Sequence, residues 1–231
     1  MSILKGGKLY YDVPIGILCL ESLFPKPCGH IRNPLTYRFP TVSRVVTGVD
    51  IPQLLFSPAP DIEPFIRAAQ QLEKDGVQAI TGSCGFMARF QSELAAAVRI
   101  SVLMSSLLQV PLIRLMHGAK ANIGVLTASK QALTPLHFSQ CGVSMDSVHI
   151  MGMEGKPEFW ETIIEGKRHD FDLERLEQEI VDTALTLTRT CALDALLLEC
   201  TDLSAFAFAL QNAVNIPVYD INSLVEFACY A

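Results

Sequence analysis

Ala195-Leu196-Leu197-Leu198-Glu199-Cys200-Thr201-Asp202 is an apolar run that ends on a cysteine, and an earlier stretch, Ala79-Ile80-Thr81-Gly82-Ser83-Cys84-Gly85-Phe86, repeats the plan. A short continuous apolar run reads as a strand buried on both faces. Each run is followed by helical spacing, so each cysteine is expected at a strand-to-helix turn. Such a turn sets a sulfur at the carboxyl edge of a parallel sheet, beside unpaired backbone N–H groups and the positive end of a helix dipole, which favours a thiolate. The two cysteines stand 116 positions apart in a chain of 231 residues, close to half its length. Two similar halves related by a pseudo-twofold axis are therefore expected, with a cleft between them and one thiol on each wall. The rival reading, in which a buried free cysteine is a small hydrophobe, suits Cys19, Cys141, Cys191 and Cys229. It is weaker at Cys84 and Cys200, where glycine, serine and threonine flank the sulfur.

Outward from these turns, strands and helices alternate. Ile15 to Leu20 reads as an opening buried strand. A long loop rich in proline (Pro25, Pro27, Pro34, Pro40) follows, as a lid over a site or as a plain surface excursion. Arg44 to Thr47 reads as a short strand. Asp61 is expected to cap a helix that stops at Gly76, Val77 to Thr81 to be a strand, Phe86 to about Leu108 to be helical, and Val110 to Ile113 to be a strand. The second half restarts with a strand over Ala121 to Thr127. A helix over 130–140, a strand over Ser147 to Ile150 and a connector over 151–170 come next. Residues 172–188 then form the clearest amphipathic helix. After Cys200, a helix over Leu203 to Asn215, a strand over Ile216 to Tyr219 and a helix capped by Ser223 close the chain. The division expected is an N-terminal α/β lobe over 1–117, completed by segment 213–231, and a C-terminal lobe over 118–212.

Composition narrows the function. The formal charge of -6 and the absence of a clustered basic patch argue against nucleic acid. The N-terminal residues lack a signal-peptide core, and no stretch nears the roughly 20 apolar residues of a membrane span, so a cytoplasmic protein is expected. The seven scattered cysteines do not resemble a disulfide scaffold. The histidines at 30, 117, 137, 149 and 169 have no metal-ligand spacing and read as structural or surface residues. No phosphate-binding glycine loop is present, so no nucleotide cofactor is expected, and the matching pair of thiols makes pyridoxal phosphate unnecessary, so neither metal nor cofactor is expected.

The two cysteine turns resemble the cofactor-independent aspartate/glutamate racemase superfamily, which also includes hydantoin racemases, arylmalonate decarboxylases and maleate isomerases. Glu199-Cys200-Thr201-Asp202 is similar to that family's Gly-Cys-Thr-His or Gly-Cys-Thr-Glu stretch. Ile15-Gly16-Ile17-Leu18 and Ile123-Gly124-Val125-Leu126-Thr127 resemble the opening strands of its two domains. The resemblance implies an α/β fold of two flavodoxin-like lobes with parallel sheets and a substrate between them. It implies an isomerase, a racemase or epimerase, in which Cys84 and Cys200 act as acid and base on opposite faces of a carbon next to a carboxylate or carbonyl. One thiol would be held as thiolate and the other kept protonated. The substrate implied is an amino acid or related small acid, although Gly85-Phe86 replaces the Asn-Thr pair that follows the first cysteine in the amino-acid racemases. Ser83, Gly85, Thr127 and Thr201 are the expected donors to its carboxylate, and Asp202 the group that orients Cys200. A one-cysteine enzyme of the maleate isomerase or arylmalonate decarboxylase kind and a non-catalytic small-acid-binding protein are the alternatives. A homo-oligomer is compatible with the resemblance.

Overall fold

The computed structural model describes residues 3–229. Residues 1, 2, 230 and 231, the outer ends of the expected first lobe and its closing segment, lie outside the described residues. The first half contains β1 (Ile15–Cys19), β2 (Thr41–Val45), α1 (Ile51–Phe56), α2 (Glu63–Asp75), β3 (Ala79–Gly82), α3 (Gln91–Ala97), β4 (Ser101–Leu103) and α4 (Val110–His117). The second contains β5 (Ile123–Thr127), α5 (Pro135–Ser139), β6 (His149–Gly152), α6 (Pro157–Phe159), α7 (Leu173–Thr190), β7 (Ala195–Leu198), α8 (Ala207–Val214), β8 (Val218–Tyr219) and α9 (Ile221–Cys229).

Two four-stranded parallel sheets result, ordered β2-β1-β3-β4 and β6-β5-β7-β8. The second order is the first with each strand replaced by its counterpart, so the sheets repeat one topology. The central strands β1, β3, β5 and β7 are buried along their whole length, which is why they read as unbroken apolar runs rather than as alternation. In each sheet the strand order reverses beside the strand that leads into a cysteine, where an open parallel sheet leaves a crevice at its carboxyl edge. One apolar core runs through both lobes and includes Leu18, Phe86, Phe138, Phe159 and Leu196. Each such large side chain contributes roughly 1.5–3 kcal/mol on burial. The closing helix α9 returns to the first lobe, where Ile221, Leu224 and Val225 pack with Ile15, Ile17 and Ala79.

Several elements differ from the expectation for physical reasons. The helix expected over Phe86 to Leu108 breaks at Val98, whose backbone is extended, and β4 is inserted after it. Val110 to Ile113 is the start of α4 rather than a strand. Pro111 sits in the first turn, where its missing N–H costs nothing. Ile62 rather than Asp61 precedes α2, with the Asp61 carboxylate accepting the Glu63 N–H at 3.0 Å. The closing helix starts before Ser223, and Asp220 Oδ1 accepts the Ser223 N–H at 2.9 Å. The helix expected over 130–140 is reduced to α5, which begins at Pro135. Within 151–170, α6 continues into a π-helical turn, Trp160–Ile164. No helix among the described residues is long and apolar enough to cross a membrane.

Candidate active site

Cys84 follows β3 and Cys200 follows β7, each leading into a 3₁₀ turn, Gly85–Phe90 and Thr201–Phe206. The register is duplicated as well. Ser83 N–H donates to Leu18 O of β1, and Glu199 N–H donates to Leu126 O of β5, both at 2.8 Å. The two turns are also fastened to each other. The Thr201 hydroxyl donates to Ser83 O at 2.6 Å, and beside this contact the Ser106 hydroxyl, from the turn after β4, donates to Leu198 O of β7 at 2.7 Å. Both cysteines line one cleft. Cys200 is buried and Cys84 is partly exposed.

Much of the cleft wall comes from the proline-rich loop after β1, through Ser22, Phe24, Lys26, His30 and Arg32, with Ile51, Leu55, Ala128 and Ile164 adding apolar surface. The loop is pinned from both sides. The Thr36 hydroxyl donates to His30 O at 2.7 Å, and the Asn222 amide donates to Gly29 O at 2.7 Å. Gly29 has φ of +94°, and a Cβ there would stand 2.9 Å from the Ala205 Cα. Only glycine meets both demands. Gly29→Ala is expected to cost roughly 2 kcal/mol, measured as a lowered thermal midpoint; an unchanged midpoint would show that the loop seats without this contact.

The loop brings a polar relay to the second cysteine. The Arg32 backbone N–H donates to His30 Nδ1 at 3.0 Å, so His30 carries its hydrogen on Nε2 and donates it to Asp202 Oδ1 at 2.8 Å. The other Asp202 oxygen accepts from the Cys200 Sγ at 3.6 Å. Arg32 Nη1 donates to Leu20 O and to the Ser22 hydroxyl at 3.1 and 2.8 Å. Lys26 Nζ lies 3.2 Å from the centroid of the Phe24 ring, a cation–π contact. Burial lowers the Lys26 ammonium to about 8. The cleft thus carries positive charge at the loop and negative charge around the thiols.

Glu199, immediately before Cys200, is completely buried. Its Oε2 accepts the Thr127 hydroxyl at 2.7 Å, while its Oε1 has no hydrogen-bond partner. Burial pushes this carboxyl up to about 7. Its backbone and side chain press on Gly85, where a Cβ would collide with Glu199 O and Oε1.

The structure brings the expected site residues together unequally. Ser83, Cys84, Cys200 and Asp202 line the cleft. Gly85 lies beneath it against Glu199. Thr127 and Thr201 are fully buried with their hydroxyl hydrogens committed to Glu199 and to Ser83 O, which removes both hydroxyls from the expected donor set. The expected resting thiolate is also corrected. Burial raises both Cys84 and Cys200 well above the usual thiol range, and Glu199 and Asp202 raise them further. The N–H groups of Phe86 and Asp202 act in the opposite direction but are outweighed. His30, expected to be structural or on the surface, is buried and holds Asp202. Lys26, Arg32 and Glu199 also escaped the sequence reading; the available signals were the long proline-rich loop and a carboxylate at the end of an apolar strand. Among the described residues, no cluster of three or more histidine, cysteine or acidic side chains could hold a metal.

Comparison with solved structures finds the same arrangement over nearly the whole chain. Allantoin racemase from Klebsiella pneumoniae has a TM-score of 0.61 at 12% identity, covering 93% of this chain and 88% of that one. Unliganded arylmalonate decarboxylase has a TM-score of 0.57 at 12% identity, covering 94% and 91%. Glutamate racemase from Francisella tularensis subsp. tularensis SCHU S4 has 0.54 at 15%, covering 93% and 81%. The chain has the aspartate/glutamate racemase fold.

No family model matches the sequence of this racemase-fold chain. Its curated relatives carry a different activity. Dimethylsulfoniopropionate lyase 6 of Emiliania huxleyi (strain CCMP1516) is 32% identical over 216 residues, covering 89% of this chain and 56% of the relative. Lyase 3 of the same strain is 31% identical over 218 residues, covering 89% and 56%. The dimethylsulfoniopropionate lyase of Durusdinium sp. clade D is 28% identical over 221 residues, covering 92% and 73%. The chain spans little more than half the length of the two Emiliania relatives. These findings overturn the expected racemase or epimerase activity, and with it the isomerase class and the two-base mechanism. The racemase fold is shared, but the relatives in sequence are lyases.

Proposed function

We propose that this chain is a lyase that eliminates dimethyl sulfide from dimethylsulfoniopropionate. The observation that carries the reading is the opposed charge of the cleft in a chain similar to lyases of that substrate. Arg32 and Lys26 supply cations suited to a carboxylate, while Asp202 on the cleft wall, with Glu199 buried behind the thiols, suits a sulfonium. A zwitterion with its two charges two carbons apart complements that arrangement.

The chemistry follows from the substrate. A base takes the proton from the carbon bearing the carboxylate, the electron pair forms the double bond, and the C–S bond breaks to release neutral dimethyl sulfide and acrylate. A neutral thioether leaves without protonation, so the elimination needs a base but no acid at the leaving group. Cys200 is the base in this reading, because Asp202 accepts its hydrogen bond and His30 holds Asp202 in place. Burial, and after it the neighbouring carboxylates, keep this thiol protonated; the arriving sulfonium offsets both, the Cys200 proton passes to Asp202, and the thiolate left behind takes the substrate proton. Cys84, on the facing wall, stays a thiol and donates to the carboxylate as charge builds on it. Ser83 is a second donor candidate, and Arg32 holds the carboxylate as a charged fork.

The test is to incubate the protein with dimethylsulfoniopropionate and measure dimethyl sulfide in the headspace and acrylate in solution. Equimolar release of the two at a rate proportional to protein concentration is expected. Folded protein that releases neither above the uncatalysed rate would reject the proposal.

A further inference from the structure

The duplication of the fold sets residue against residue. With Cys84 equivalent to Cys200, Ser83 is equivalent to Glu199, and both donate their backbone N–H to the neighbouring central strand in the same way. One turn therefore carries a small neutral residue before its cysteine and the other a buried acid. The acid is directed across the pseudo-dyad, because its Oε1 and its carbonyl fill the space beside Gly85 that any other residue would occupy with a Cβ. A fully buried carboxyl oxygen with no partner carries a free-energy cost, and such a group in a native site calls for a role.

We propose that Glu199 is a positioning residue that holds Cys84 in its thiol form, making the two cysteines of a duplicated site unequal. The groups facing Glu199 are Cys84 from the turn after β3, Cys141 after α5, Thr127 at the end of β5, and Cys200 and Asp202 from its own turn. No positive side chain is among them. Burial is the largest cause that raises both thiols, and the charges around them then differ. Of the charges that raise Cys84, Glu199 ranks ahead of Asp202, whereas for Cys200 Asp202 ranks ahead of Glu199. Equal cysteines suit a reaction that runs in both directions through one symmetric intermediate. A one-way elimination is served by one base and one fixed donor, and Glu199 supplies that difference. This assignment of roles rests on the elimination reading, but its test reads thiol ionisation rather than turnover, so either can fail while the other stands.

The experiment follows alkylation of each cysteine by iodoacetamide against pH. Cys84 is followed in the Cys200→Ser protein and Cys200 in the Cys84→Ser protein, each with and without Glu199→Gln. Removing the charge is expected to lower the Cys84 midpoint by about one pH unit, a roughly tenfold faster reaction at fixed pH on the rising limb, and to move Cys200 distinctly less. Glu199→Met, neutral and of similar length, gives the same reading should the glutamine variant not fold. A Cys84 midpoint that stays or rises, or a Cys200 midpoint that falls as far as that of Cys84, overturns the proposal.

Discussion

Cys200→Ser is expected to lower kcat/KM for dimethyl sulfide release by about 10³-fold, within the range that a positioned acid or base contributes, with the thermal midpoint little changed. A serine hydroxyl is far less acidic than a thiol, and the sulfur's polar contacts are with the Asp202 carboxylate and backbone N–H. The protein therefore loses the base and little packing. Cys84→Ser is expected to cost less, about 10²-fold, because a hydroxyl can still donate to the substrate carboxylate. The paired measurement discriminates between roles, since two interchangeable acid/base groups would fail together. Equal losses in the two variants would remove the assignment of Cys200 as sole base, and wild-type turnover in Cys200→Ser would end it.

Arg32→Gln is expected to raise KM for dimethylsulfoniopropionate about 10- to 100-fold, the loss of one charge-assisted hydrogen bond of roughly 1.5–3 kcal/mol, with a smaller fall in kcat. Arg32 already donates through Nη1 to Leu20 O and to Ser22, which fixes the guanidinium at the cleft before any ligand arrives. Arg32→Lys keeps the charge but loses the planar fork, so it should recover only part of the affinity. Steady-state kinetics with both variants checks this. An unchanged KM in Arg32→Gln would place the carboxylate elsewhere, with Lys26 the next cation of the cleft.

The parts of the fold legible in the sequence were those set by local rules. β1, β3, β5 and β7 are buried on both faces and announce themselves as apolar runs, and the cysteine turns follow from what comes after β3 and β7. α4 was misread because Val110-Pro111-Leu112-Ile113 has the apolar, β-branched character of a strand, whereas its backbone is decided by the proline and the turn before it. β4 went unseen because it is three residues long with only Val102 buried. The cleft lining was the least legible. His30 meets a partner 172 positions away, and no periodicity in the segment that holds Lys26, His30 and Arg32 says that it folds back over both cysteines. Glu199 stood in plain view, but its burial depends on Gly85 in the other half of the chain.

The fastening of the two cysteine turns has a consequence for how molecules enter and leave. Thr201 to Ser83 and Ser106 to Leu198 stitch the lobes together at the floor of the cleft, above a shared apolar interior. Parting the halves like a jaw would break those stitches and wet that interior. The segment carrying Phe24 to Arg32 is seated as well: Phe24, His30 and Ile31 are buried, and His30 holds the Asp202 that contacts the Cys200 sulfur. Passage is thereby left to the exposed side chains at the rim, while the reacting atoms stay on an unmoving floor.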